Sequence, residues 1–310
     1  MAFRYFQLAK RDAINVLDPA VRPNHAGVIP APVFGLDSHL SPHVGILLPL
    51  NGFDMEQVCF VWRSLTDSGF MVEFIIPHVP HENDDSANLT PQPNQDVLSG
   101  TKGLLKGPPK SAKEIYSVLC TLNEFTHPNV LHSTGFTLTK FDVLFITGGA
   151  GQGVEEMITD PLLHSLLVPY LRLCYREKPD NNAAKEPSKI VCAVSQGVRA
   201  IYAADPTIQL KATTIPVWME RSSLLLGLRP IKAPYTAPSL PQDRYVAGPV
   251  AKKKFIYVDE KYYCVTGRCN NDSIMLARMV VRLYKQAQRE LQRHLRHQSV
   301  SKKTESPSSD

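Results

Sequence analysis

The residues with the strongest chemical signal in this chain are Ala193-Val194-Ser195-Gln196-Gly197. A nucleophile elbow needs a sharp turn from strand into helix, with small residues two before and two after the nucleophile so that the backbones do not collide. Ala193 and Gly197 meet that demand around Ser195, with Ala where serine hydrolases carry Gly. A serine capping an ordinary helix has the same local sequence, and the pattern does not separate the two readings. A second candidate is the run Thr147-Gly148-Gly149-Ala150-Gly151-Gln152-Gly153. It fits neither G-x-G-x-x-G nor the Gly-Lys-Ser/Thr phosphate loop, so no dinucleotide site is expected. A turn that presents backbone N–H groups can instead stabilise an oxyanion. Gly148, Gly149 and Gln196 are the candidate donors, against the plainer reading of a flexible turn. The third candidate is Glu56, behind the expected cap Asp54. A first-turn carboxylate favours the helix dipole and usually does nothing more. Glu56 counts as a candidate pocket acid only because its turn and Ser195 are expected at the same sheet edge.

A base for Ser195 is missing. Ten histidines are present, but none lies between His164 and His294, where the elbow and the later strands fall. A serine hydroxyl is a weak nucleophile unless a neighbouring group takes its proton. Six scattered cysteines form no C-x-x-C pair and no Cys/His cluster. That pattern argues against a structural zinc and a disulfide framework, so no metal and no cofactor is expected.

The elements that must position these residues alternate. VGILLPL (44–50), VEFIIP (72–77), FDVLFI (141–146) and KIVCAV (189–194) are short apolar runs of buried-strand type. Helical spacing marks 55–68, about 111–123, about 160–176 and a segment starting near Asp272 or Ser273. FIYVD (255–259) and YYCVTG (262–267) read as an antiparallel pair at a sheet edge. Strand–helix alternation implies a mostly parallel sheet, doubly wound by helices on both faces, with working residues at the carboxyl ends of the strands. Residues 1–42 read as an N-terminal extension, 43–284 as one domain enlarged by an insertion at 78–140, and 285–310 as a basic helix end. The polar stretch 299–310 is expected to be disordered.

Of the chain's net +5, an excess of +6 lies between Arg282 and Lys303, and two acids follow it. Residues 1–281 are therefore nearly neutral, so the basic balance gives no reason to expect a nucleic-acid groove. No apolar run reaches eighteen residues, and no membrane span is expected. The N-terminus lacks a secretory h-region. The expected compartment is the cytoplasm, with a mitochondrial presequence as the alternative.

Four segments together resemble the ThiJ/PfpI family of class I glutamine-amidotransferase-like proteins. They are VGILLPLNGFDMEQV (44–58), FDVLFITGGAGQGVEEMITDPLL (141–163), KIVCAVSQGVRAIYAA (189–204) and VDEKYYCVTGRCNNDSIMLARMVVRL (258–283). The resemblance implies a flavodoxin-like sandwich and places the family's pocket glutamate at Glu56. It also implies a cysteine at position 195 followed by a histidine, where this chain has Ser195 and Gln196. In deglycase-type members a Thr-Thr pair precedes a histidine; here Thr213-Thr214 precedes Ile215. Glyoxalase or deglycase chemistry needs a low-pKa thiolate that serine cannot supply. The expected function is thus that of a catalytically degenerate binding, regulatory or stress-related protein with a small-molecule or protein ligand, either a monomer or a homodimer. The alternative is an active enzyme: a serine-dependent hydrolase or a residual glyoxalase-type activity. An amidotransferase subunit would need a Cys and a His-x-Glu that are not present.

Overall fold

The computed structural model describes residues 41–77, 89–94, 107–175, 189–215, 243–249, 254–259 and 261–304, all within one compact unit, Pro32–Asp310. The expected extension at 1–42, except for its last two residues, lies outside them, as do 78–88 and 95–106 of the insertion and the end of the tail, 305–310.

The chain runs β1 (His43–Leu47), β2 (Asn51–Phe53), α1 (Met55–Thr66), β3 (Met71–Ile76), β4 (Gln92–Pro93), α2 (Lys110–Leu119), α3 (Asn123–Thr126), β5 (Asn129–Val130) and β6 (Val143–Ile146). It continues through α4 (Gln152–Thr159), α5 (Pro161–Cys174), β7 (Ile190–Val194), α6 (Gly197–Ala204), β8 (Ile256–Asp259), β9 (Cys264–Gly267) and α7 (Ser273–Thr304). The sheet order is β5-β3-β1-β6-β7-β9-β8. All pairs are parallel except β8 with β9, which run antiparallel at the edge as expected. The five central strands thus follow the doubly wound, flavodoxin-like order.

Successive residues of a strand face opposite sides of the sheet, and both sides are covered. On β6, Val143 and Phe145 join the core beneath α1, α2 and α7, through Val58, Leu65, Leu119, Val280 and Leu283. Leu144 and Ile146 join the opposite core, beneath α4, α5 and α6, through Met157, Leu167, Tyr170 and Ile201. Burial on two faces is why these strands are uniformly apolar rather than alternating.

Some expected boundaries move. The helix expected at 111–123 stops at Leu119, and Asn123–Thr126 forms a separate turn of helix. The glycine run ends earlier than expected, because α4 begins at Gln152. Within the insertion, Gln92–Pro93 pairs with β2 as a small parallel ribbon. Residues 299–304, expected to be disordered, form the end of α7. Residues 285–304 contain neither Gly nor Pro and are rich in Gln, Lys and Arg, so nothing in them stops a helix. Asp272 does not simply cap α7: its carboxylate accepts from the amides of Phe255 (2.8 Å) and Arg268 (2.8 Å), pinning the loop after β9.

Helix α1 tests this packing. Its apolar side includes Leu65, fully buried, while Arg63 and Asp67 pair at 2.9 Å on the exposed side. Leu65→Ala should destabilise the protein by about 2–5 kcal/mol through lost burial and a residual cavity. Arg63→Ala should change stability by no more than about 0.5 kcal/mol. Urea denaturation midpoints compare the two; equal small effects would show that α1 does not pack on the sheet.

Candidate functional site

The carboxyl ends of β1, β6, β7 and β9 share one sheet edge, and the sequence-derived candidates meet there. Ser195 follows β7 directly and has φ 55°, the only non-glycine positive φ among the described residues. The left-handed conformation costs an L-residue roughly 1–2 kcal/mol, so the surroundings must hold it. Its amide donates to the Gly267 carbonyl (3.0 Å), and its own carbonyl accepts from Thr214 Oγ1 (2.7 Å). The side chain is 6% exposed, and Oγ donates to Gln196 Oε1 at 2.9 Å. The hydroxyl proton, expected to face Glu56, is thus directed at a neutral amide oxygen.

Two glycines make the elbow sterically feasible. A Cβ at Gly197 would lie 2.5 Å from the carbonyl oxygens of Ile146 and Thr147, and a Cβ at Gly148 would lie 2.9 Å from Ser195 Cβ. The backbones after β6 and β7 therefore touch without intervening side chains.

The glycine loop is also laced to the start of α1. Gly148 accepts from the Asp54 amide (3.4 Å), Gly149 bridges Phe53, and Ala150 donates to Gly52 (2.8 Å). Gln57, 2% exposed, accepts from the Gly148 amide at 2.8 Å. This corrects one expectation: the Gly148 N–H is spent inside the protein and is not offered as an oxyanion donor. Glu56 is half-buried in the first turn of α1, at the same edge.

Sequence reasoning missed Gln57 and used Thr214 only as an alignment marker. Gln57 follows Glu56 directly and could have been flagged as a polar residue on the apolar side of an amphipathic helix.

The native thiols nearest this edge are not thiolates. Burial pushes the Cys269 thiol up to about 11, with the Asp272 carboxylate adding to the rise. Burial alone pushes Cys192 well above the ordinary thiol range. Asp54 caps α1 by accepting from the Gln57 amide (3.1 Å), and its burial raises its pKa above the usual carboxylate value. Both thiols are therefore protonated at neutral pH.

The histidines whose side chains are described are engaged elsewhere. His43 stands at the amino end of β1, 3.7 Å from Glu73. His132 contacts Asp160 (2.8 Å), His164 the Ile158 carbonyl (2.7 Å) and His127 Thr126 (3.0 Å). Among the described residues no group of three His, Cys, Asp or Glu could hold a metal ion.

The strain at position 195 is measurable. In regular structure Gly is less stable than Ala by about 0.5–1 kcal/mol, whereas a positive φ reverses that order. Ser195→Gly should therefore be more stable than Ser195→Ala by about 1 kcal/mol in urea unfolding. The opposite order would show that Ser195 is not held in the left-handed conformation.

Comparison with known proteins follows the same lines. The ThiJ/PfpI family-like model matches residues 48–249, well over half the chain. An uncharacterized protein of Schizosaccharomyces pombe is 44% identical over 305 residues, covering 96% of this chain and 95% of that one. A second uncharacterized protein of that yeast is 32% identical over 240 residues, covering 77% of this chain and 83% of that one. The crystallographic structure of APC35852 aligns with a TM-score of 0.53 at 15% identity, over 80% of this chain and 99% of that one; it shares the fold. The family match spans both the elbow and the Gly-Gly loop, and the chain belongs to the ThiJ/PfpI family.

Proposed function

We propose that this chain is a catalytically degenerate ThiJ/PfpI protein that acts by binding a small-molecule or protein ligand at the Ser195 edge, in a regulatory or stress-related role. The observation that carries the reading is the 2.9 Å hydrogen bond from Ser195 Oγ to Gln196 Oε1. An amide oxygen accepts a hydrogen bond but is far too weak a base to remove a hydroxyl proton near neutrality. General-base assistance is typically worth about 10²–10⁴-fold in rate, so its loss alone removes most of a hydrolase's advantage. The nearby thiols do not compensate, since burial holds Cys269 near 11.

A second reading, a serine-dependent hydrolase, draws support from the retained strain at Ser195, φ 55°. Strained residues concentrate at active sites. With the Gly148 amide committed to Gln57, its oxyanion donors would be the amides of Gly149 and Gln196. Glu56 would be the only candidate among the expected site residues to accept the proton.

Alkylation and turnover separate the readings. The wild-type protein should resist iodoacetamide and fluorophosphonate at position 195 and turn over methylglyoxal at the buffer rate. Ser195→Cys places a better nucleophile at a helix N-terminus, which favours a thiolate. It should become alkylated at that position yet gain little turnover, because Gln196 and Ile215 cannot shuttle a proton. Wild-type turnover that disappears in Ser195→Ala would make the chain a serine enzyme.

A further inference from the structure

Helix α7 starts after the carboxyl end of β9, so its later turns lead away from the Ser195 edge. Leu276, Ala277, Val280, Leu283 and Ala287 are buried in the core beside α1. On another side of α7, Arg278, Arg282, Lys285, Arg289 and Arg293 line a concavity of about 540 Å³. They recur at spacings of four, three, four and four residues, so one cation follows another every ~4.5–6 Å along roughly 22 Å of helix. Arg278, Lys285, Arg289 and Arg293 are exposed. The single acid of the lining, Glu290, is turned to accept from Tyr263 Oη (2.7 Å) and Gln286 Nε2 (2.9 Å).

We propose that this row of cations is a docking surface for the phosphate backbone of double-stranded nucleic acid, bound without regard to sequence. Four of the five cations are arginines, whose planar forks match phosphate oxygens bidentately. Their regular linear array matches a ligand with regularly repeated charges better than it matches an acidic peptide. A membrane-surface helix needs an apolar face to insert beside its basic one, and the apolar face of α7 is already buried in the core. Single strands are gripped by aromatic stacking platforms, and among the described residues no aromatic lines this concavity. Part of the local excess of +6 between Arg282 and Lys303 forms a stripe because a helix stacks residues three and four apart on one side.

The test is titration of the full chain onto a fluorescent mixed-sequence DNA duplex of about 20 base pairs across a salt series, beginning near 50 mM. Binding at about micromolar strength is expected, with a log–log salt slope of about −4.5, since each phosphate neutralised contributes roughly 0.9. Replacing Arg278, Arg289 and Arg293 together with Gln should leave the melting temperature unchanged, weaken binding at least tenfold and bring the slope to about −2. If that triple variant melts early, Arg289→Gln alone should lower the slope by about one. No binding, binding insensitive to these changes, or tighter capture by phosphatidylserine vesicles or polyglutamate than by the duplex would overturn the proposal.

Discussion

Everything at the candidate site depends on backbone touching backbone at the ends of β6 and β7. Neighbouring parallel strands lie about 4.8 Å apart, and here the chain leaves both strands at once, into a loop from one and a helix from the other. The two exits fit because Gly148 and Gly197 present no Cβ: an added carbon would meet the Ser195 side chain in one case and two carbonyl oxygens in the other. That contact forces the sharp reversal at Ser195, and the reversal points its side chain out of the strand's two packed faces. The family's elbow is therefore a consequence of sheet geometry, whichever residue occupies position 195.

The elbow holds Ser195 from three sides. Ser195 is fixed through its amide, its carbonyl and its hydroxyl, by Gly267, Thr214 and Gln196 respectively. Such over-determination is what sustains a strained residue. The last of these partners is a neutral amide oxygen, which accepts the hydroxyl's hydrogen bond but is too weak a base to take its proton near neutrality. Gln57 has a comparable effect on the opposing loop, since it satisfies a backbone donor that a ligand oxygen would otherwise compete for. The Gly148 amide is thus turned inward, which ties the loop to α1.

Helix α7 shows how one element serves two demands. Its apolar side completes the core over β9 and against α1, including the edge-to-face contact of Tyr284 with Phe70 at 5.4 Å. That burial fixes the rotation of the helix about its axis. Once the rotation is set, the cations at 278, 282, 285, 289 and 293 must share another side, because residues three and four apart lie above one another.

By itself the sequence determined the strands β1, β3, β6 and β7, since a strand buried on both faces must be an unbroken apolar run. It also determined the elbow, whose small flanking residues are a local steric requirement, and the family, whose segments stand in order along the chain. It did not reveal β2, β4 or β5, two or three residues each, because such strands have no period of their own and exist only where a neighbour's hydrogen bonds extend them. Nor could it reveal that Gln57, 91 positions from Gly148, closes that amide, or that Thr214, 19 positions from Ser195, anchors its carbonyl. Tertiary structure alone decided where the hydroxyl of Ser195 points, because a side chain's hydrogen-bond partner is set by what the folded backbone brings within about 3 Å of it.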